Sequence, residues 1–230
     1  MSTDQQGATP ELVALRQEML SYDSCLISDA CERLGLNPGL TGIERRSTQK
    51  RTFGPVVTVR LVTHDGTVAK RHLGSAAVDA AVPGDVIVIE HLSRADCAGW
   101  GGLLSTAAKA KGVAGIVIDG LARDIDESED LGMPVYARGV TPVTARNRVS
   151  EVSTNEPVTI GGIKVSPGDY VLADGSGVAF IPRDRLVDVV DTARKLIAAE
   201  NGIRAMLERG IPISVAMNET YETLLGTAKK

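Results

Sequence analysis

The sequence predicts an α/β fold with a parallel central sheet, on three observations. Strands of fully buried type alternate with helices between positions 85 and 137, glycine-marked turns separate short β-type runs between 157 and 182, and a long amphipathic helix follows. Only 3% of residues are aromatic, and Val, Ala, Gly and Leu dominate, which suits close packing of helix on sheet. A chain of 230 residues has the volume for one full core. We read residues 1–230 as a single domain, with about twenty residues at each end peripheral to it.

The first recognisable element is SCLISDACERLG. Ile27, Cys31 and Leu34, with Ala30, form one helical stripe; Ser24 can cap its start and Gly35 stop it. FGPVVTVRLVT, within Thr52–Thr63, reads as a strand. DVIVIE (Asp85–Glu90) is a continuous apolar run, as expected of a strand buried on both faces. In LLSTAAKAKG, Leu103 and Ala107, then Leu104 and Ala108, lie one turn apart on a helix that Gly112 ends. GIVID (Gly115–Asp119) is a second buried strand, Asp126–Leu131 a short acidic helix, and MPVYA from Met133 a third strand. Strands alternating with helices in this way predict parallel neighbours joined by crossovers. In PVTIGGIKV, Gly161-Gly162 predicts a β-hairpin, and YVLADGSGVAFIP two more strands around a Gly/Asp turn. Leu186, Val190, Ala193 and Ile197 mark the long helix from Arg183 to Gly210, with Gly202 as a point of interruption. Pro-Gly-Asp precedes a strand twice, at Pro83-Gly84-Asp85 and Pro167-Gly168-Asp169, and predicts the same tight turn in both places. The tail NETYETLLG is short enough to pack on a neighbour.

Composition excludes several classes of function. A net charge of −4 argues against a nucleic-acid surface, and the basic cluster Arg45, Arg46, Lys50 and Arg51 reads as a solvated loop. The cysteines Cys25, Cys31 and Cys97 form no CxxC pair, which predicts a reducing, cytoplasmic setting. The opening MSTDQQGATPELVALRQ lacks the apolar stretch of a secretory leader, and no apolar run approaches the roughly 20 residues that span a bilayer. His64, His72 and His91 lack zinc-site spacing. Cys97 near His91 reads as a small buried thiol, and Lys70, Lys109, Lys111 and Lys164 occupy polar positions unsuited to imine formation. No GxSxG, P-loop or GxGxxG motif is present.

Two segments remain, and both leave the carboxyl ends of strands, where ligands collect in parallel sheets. Gly101-Gly102-Leu103-Leu104 opens a helix whose free N–H groups favour an anion; it reads either as a carboxylate cradle or as a plain glycine-rich turn. Arg123-Asp124 reads either as an arginine that grips an oxo acid beside a carboxylate that ligates a hard cation, or as a surface ion pair. Trp100 is either pocket wall or core.

The run WGGLLSTAAKAKGVAGIVIDGLARDIDESEDLGMPVYARGVTP (Trp100–Pro142) resembles the RraA-like family. Its enzymes are 4-hydroxy-4-methyl-2-oxoglutarate and 4-carboxy-4-hydroxy-2-oxoadipate aldolases, which also decarboxylate oxaloacetate. The likeness extends through SDACERLG, AVPGDVIVIE and GGIKVSPGDYVLADGSGVAFIP. The resemblance implies a swivelling β/β/α domain with a parallel central sheet, β-hairpins and a long C-terminal helix. It also implies homotrimers or homohexamers with sites between subunits, a small 2-oxo acid substrate and a Mg²⁺ or Mn²⁺ cofactor. It assigns substrate binding to Gly101, Gly102, Leu103, Leu104 and Arg123, and the metal to Asp124. A glutamate from a neighbour's C-terminal helix completes such sites, and Glu200 is the positional match here. The implied activity is that of a class II lyase, releasing pyruvate by way of a metal-stabilised pyruvate enolate. One departure stands out: many members carry Glu or Asp where this chain has Gly102. Two rival readings are a non-catalytic regulator of the RNase E type and a related decarboxylase or lyase for another 2-oxo acid. A methyltransferase role has no glycine-rich cofactor loop to support it.

Overall fold

In the computed structural model, which describes residues 10–37, 39–66 and 72–217, a ten-stranded mixed sheet organises the chain. Helices α1 (Pro10–Ser21) and α2 (Ser24–Arg33) lead into β1 (Gly39–Leu40), β2 (Glu44–Ser47) and the long β3 (Thr52–Thr63). The central stretch is α3 (Ser75–Ala80), β4 (Val86–Glu90), β5 (Ala98–Trp100), α4 (Gly102–Ala110), β6 (Gly115–Ala122), α5 (Ile125–Asp130) and β7 (Val135–Val140). Then come β8 (Val149–Thr154), the hairpin β9 (Val158–Ile160) and β10 (Ile163–Val165), β11 (Tyr170–Ala173) and β12 (Val178–Ile181). Helix α6 (Leu186–Glu208) and a short α7 (Ile213–Ala216) follow.

The sheet order is β1-β12-β11-β3-β4-β6-β7-β2, with β5 added to β6 and β8 to β3. The expected parallel centre is present: β3, β4, β6 and β7 pair in parallel, and the flanking pairs are antiparallel. Strand β3 curls the sheet by changing partners along its length. Thr52–Pro55 pairs with β11, whereas Val56–Arg60 pairs with β4 on one edge and Val59–Thr63 with β8 on the other. The continuous apolar runs are explained by burial on both faces. Ile87, Ile89, Ile116 and Ile118 join the cluster under α3 and α4, while Val86, Val88 and Val117 join the opposite cluster with Ile43, Tyr136 and Val158. A third cluster seats α1, α2 and α6 on Phe53, Leu172, Ala179 and Ile181. This is the α/β architecture that the sequence predicts, with a parallel centre, a β-hairpin and a long C-terminal helix.

Several local expectations needed adjustment. The N-cap of α2 is Asp23, whose carboxylate accepts from Leu26 N (2.8 Å), and Ser24 instead donates its hydroxyl to Asp174 (2.7 Å). The basic cluster is a solvated loop only in part: Lys50 and Arg51 are exposed in the segment after β2, where Arg51 donates to the carbonyls of Leu20 and Ser21, whereas Arg45 and Arg46 are half-buried in β2 and Arg46 donates to the carbonyls of Ala137 and Arg138. Helix α6 runs unbroken through Gly202, which faces open space. The Pro-Gly-Asp turns are twins. Gly84 and Gly168 take positive φ, and Asp85 and Asp169 each accept from the backbone N–H three residues earlier. Gly161 and Gly162 both take positive φ, as a type I′ hairpin requires. Helices α1 and α3 and strands β1, β2, β5 and β8 had no legible signal. Lys70 and the NETYETLLG tail beyond Met217 lie outside the described residues. No helix among the described residues is long and apolar enough to cross a membrane.

Candidate active site

The two singled-out segments meet because β5 adds a short parallel rung to the far end of β6. Ala98 pairs with Leu121 and Trp100 with Ala122, and Arg123 N donates to Trp100 O (3.0 Å). Gly101 and Gly102 are thereby set beside Arg123 and Asp124. The rung exists because β6 is irregular at Asp119-Gly120, where the register shifts. Buried His91 fills the space beside that irregularity: a Cβ at Gly120 would lie 2.3 Å from His91 Nδ1, and one at Gly99 would lie 3.0 Å from it. Burial pushes the His91 imidazole down to about 4, with Arg94 acting in the same direction, so the ring is neutral near pH 7. Asp119 is likewise structural. Its carboxylate accepts from Arg138 Nε, from Ser93 Oγ (3.0 Å) and from Gly161 N (2.9 Å), which ties the β9–β10 hairpin to β6.

Asp124 is the N-cap of α5 and sits in the left-handed region (φ 56°, ψ 44°), a conformation that a short polar side chain tolerates. That backbone turn swings its carboxylate back to α4: Oδ2 accepts from Gly102 N (3.0 Å) and from Arg123 Nε (3.0 Å). The Gly102 N–H and then the Arg123 guanidinium hold the Asp124 carboxyl below the usual carboxylate range, outweighing partial burial. It is therefore ionised at neutral pH. Behind the pair, Trp100 Nε1 donates to Ser105 Oγ (2.9 Å), which also bonds Ser128 Oγ (2.9 Å), locking β5, α4 and α5 together. Trp100 is only 2% exposed and also borders the cleft, so it is core and wall at once.

Arg123, Asp124 and the Gly101–Leu104 segment line one cleft of about 600 Å³. Leu103, 84% exposed, stands at its rim. Sequence reading did not place the other side in the site, where His64, Arg146, Asn147 and Glu151 lie. They arrive through the antiparallel β3–β8 pairing, in which His64 N donates to Arg148 O (2.9 Å). No motif marks TARNRVS, so only long-range pairing reveals it. Glu200 does not line the cleft of its own chain. It lies on α6 beyond Leu196, the last fully buried residue of that helix, and pairs with Arg204 (2.8 Å). Among the described residues no three His, Cys, Asp or Glu side chains cluster as metal ligands. The available donor set is carboxylate oxygen open to solvent, which fits a hard cation that keeps most of its waters and does not fit zinc.

A glycine-capped helix, an arginine and an ionised carboxylate gather beside one cleft at the carboxyl edge of a parallel sheet in an α/β protein. The profile of the RraA-like family (Aldolase/RraA) matches residues 24–180, and the chain belongs to that family. It is 33% identical to a Halalkalibacterium halodurans protein provisionally named 4-hydroxy-4-methyl-2-oxoglutarate aldolase, over 80% of this chain and 90% of that one. It is 30% identical to protein DlpA of Legionella pneumophila over 94% of its own length but only 35% of DlpA. Among solved structures it superposes on Streptomyces coelicolor RraAS2, described as an unusual member of the RNase ES inhibitor RraA family. The TM-score is 0.75 and the identity 26%, with 87% of this chain and 99% of that one covered.

Proposed function

We propose that this protein is a divalent-metal-dependent carbon–carbon lyase. It cleaves 4-hydroxy-2-oxo acids of the 4-hydroxy-4-methyl-2-oxoglutarate type to pyruvate and decarboxylates oxaloacetate. The observation that carries this reading is the Arg123–Asp124 pair bonded to the α4 N-terminus at the mouth of the cleft. The aldolase name of a relative covering most of both chains gives the reaction class.

Asp124 would hold Mg²⁺ or Mn²⁺, which supplies Lewis-acid withdrawal of charge from a 2-oxo acid. Arg123 presents fixed donors to the same end of the substrate, and the amides of Leu103 and Leu104, in the first turn of α4 where no intrahelical carbonyl reaches, favour its 1-carboxylate. As the C3–C4 bond breaks, its electron pair moves toward C3 and the 2-oxo oxygen, and Arg123 stabilises the developing charge. In the aldol cleavage a base removes the 4-hydroxyl proton, the C4 fragment leaves as a carbonyl compound, and protonation at C3 gives pyruvate. Glu200 of a second copy, acting through water, is that base in a trimer or hexamer with shared sites. Decarboxylation of oxaloacetate loses CO₂ and needs no such base. Arg146 adds a second cation to the cleft for the far carboxylate of a dicarboxylic substrate. The unpaired thiols of Cys25, Cys31 and Cys97 accord with a cytoplasmic setting.

Pyruvate release from oxaloacetate and from 4-hydroxy-4-methyl-2-oxoglutarate, with Mg²⁺, Mn²⁺ or EDTA, tests this. Metal-dependent pyruvate from both is expected. Release from oxaloacetate alone would redirect the reading to a decarboxylase. No release from either, with a stable metal-free complex with an RNase of the E type, would favour the inhibitor role for which RraAS2 is named.

A further inference from the structure

Four cations share a second cavity that the proposed reaction does not use. It measures about 260 Å³ and is lined by Arg16, Lys50, Arg51 and Lys109, with the turns at Gly112 and Gly132 as neutral walls. The fold puts it at the amino ends of the parallel strands, opposite the candidate active site. Lys50 and Arg51 directly precede β3, the Gly112 turn joins α4 to β6, and the Gly132 turn joins α5 to β7. Arg16 comes from α1 and Lys109 from the last turn of α4.

These charges converge. A Cβ on Gly132 would lie 3.2 Å from Lys50 Nζ and 3.8 Å from Lys109 Nζ, so two ammonium groups stand over one glycine. The Arg16 guanidinium covers Gly84, whose N–H donates to Gly112 O (2.9 Å) on the cavity wall. Lys109 donates to Gly132 O (3.2 Å) and Arg51 to Ser21 O (3.1 Å), which serves the carbonyl ends of α5 and α1. Among the described residues, Arg16 and Lys50 donate no side-chain hydrogen bond. The acids nearest in sequence are turned to the backbone: Asp85 Oδ2 accepts from Val82 N, and Glu129 Oε2 from Thr48 N. Elsewhere arginines meet carboxylates, as in Arg60 with Glu90, Arg138 with Asp119 and Arg194 with Glu18. In a chain with 29 acidic and 25 basic residues, a cavity whose described lining holds four cations and no acid is an exception. Repulsion among like charges raises the energy of the unliganded cavity, and a bound anion offsets it.

We infer that this cavity is a second ligand site, which binds a compact polyanion of the diphosphate type. Its volume lies below the roughly 300–1,000 Å³ of ordinary small-molecule pockets, so the bound group is small. Four cations exceed what one phosphate group, at about −1.5 to −2, can neutralise, and two linked phosphates match them better. Guanidinium forks and ammonium points both suit phosphate oxygens. Cations that merely served the helix ends would alter stability and would show no saturable anion binding.

The test is calorimetric titration of the full chain with inorganic pyrophosphate at low salt, in EDTA so that no metal recruits the anion to the other cleft. Saturable binding at one site per chain is expected, with a rise in melting temperature that orthophosphate and sulfate match only at much higher concentration. Lys50→Met, at an exposed position, should weaken pyrophosphate about tenfold or more and leave the melting temperature of the ligand-free chain unchanged. Arg16→Gln should weaken it on the same scale, and Arg123→Met, in the other cleft, by less than about twofold. ADP as a second probe distinguishes the source of the diphosphate: equal affinity means that a nucleotide's end group is accepted, and binding of pyrophosphate alone confines the site to the free anion. No saturable binding, or affinities that follow ionic strength alone, would overturn the inference. So would binding lost in Arg123→Met and kept in Lys50→Met, which would assign the anion to the other cleft.

Discussion

At the residue scale the site depends on a few directional bonds at one helix end. Replacing Asp124 by Ala removes the acceptor of the Gly102 and Arg123 donors together, and both pyruvate-forming activities should disappear; metal-dependent turnover surviving that change would remove Asp124 from the chemistry. Arg123→Lys keeps the positive charge but loses the planar array of donors. We expect kcat to fall about a hundredfold, the scale on which single transition-state donors act. Both positions could be read from Arg123-Asp124 at a strand end, but the chemistry could not, because an adjacent Arg and Asp is most often a surface ion pair. What distinguishes this pair is the left-handed turn at Asp124, which returns the carboxylate to Gly102.

At the element scale the irregularity in β6 brings the two loops together, and His91 packed against Gly120 maintains it. Gly120→Ala would drive a methyl into the buried imidazole, which cannot swing away as an exposed side chain would. An overpacking cost of about 1–3 kcal/mol is expected in denaturant or thermal unfolding. His91 also sets an acid limit on stability. Its folded value, about 4, lies below the ordinary 6.5, so the unfolded chain binds the extra proton between those values. Stability is then full above about pH 6.5 and declines as pH falls toward about 4, by an amount on the order of 3 kcal/mol. Equilibrium unfolding of His91→Leu should show a flatter pH dependence over that window; an unchanged slope would assign the acid sensitivity elsewhere. The strands here were legible because both faces are buried and the residues are β-branched. Helix α1 was not legible: it exposes Leu12 and Val13 while burying Met19, so no apolar stripe marks it. Strands β5 and β8 are short or half-exposed and depend on their partners for existence.

At the scale of the whole molecule, the second half of α6 carries the quaternary question. Beyond Leu196 the helix leaves the core, and Leu207, Ile213, Val215 and Met217 are exposed around and after its end. If Glu200 serves a neighbour's cleft, Asp124→Ala and Glu200→Gln chains are each defective in aldol cleavage for different reasons. Mixed oligomers made by co-expression should then recover about a quarter of wild-type sites, the fraction in which an intact Asp124 faces an intact Glu200. No recovery in mixed oligomers would place the base within one chain. Glu200→Gln should also lower aldol cleavage more than oxaloacetate decarboxylation, and equal losses would count against a base needed in only one of them.

The sequence by itself determined the strand–helix alternation, the buried parallel strands, the two Pro-Gly-Asp turns and the Gly-Gly hairpin. It also picked out the two segments at the strand ends. Each of these is written locally, in a periodicity or in a residue that only one backbone conformation suits. Tertiary structure alone decided the change of partners along β3, the cleft wall carrying His64 and Arg146, and the meeting of Asp124 with Gly102 at the start of α4. Those relations join residues far apart in the chain, or turn on the direction of one backbone kink, and no local pattern of side chains records them.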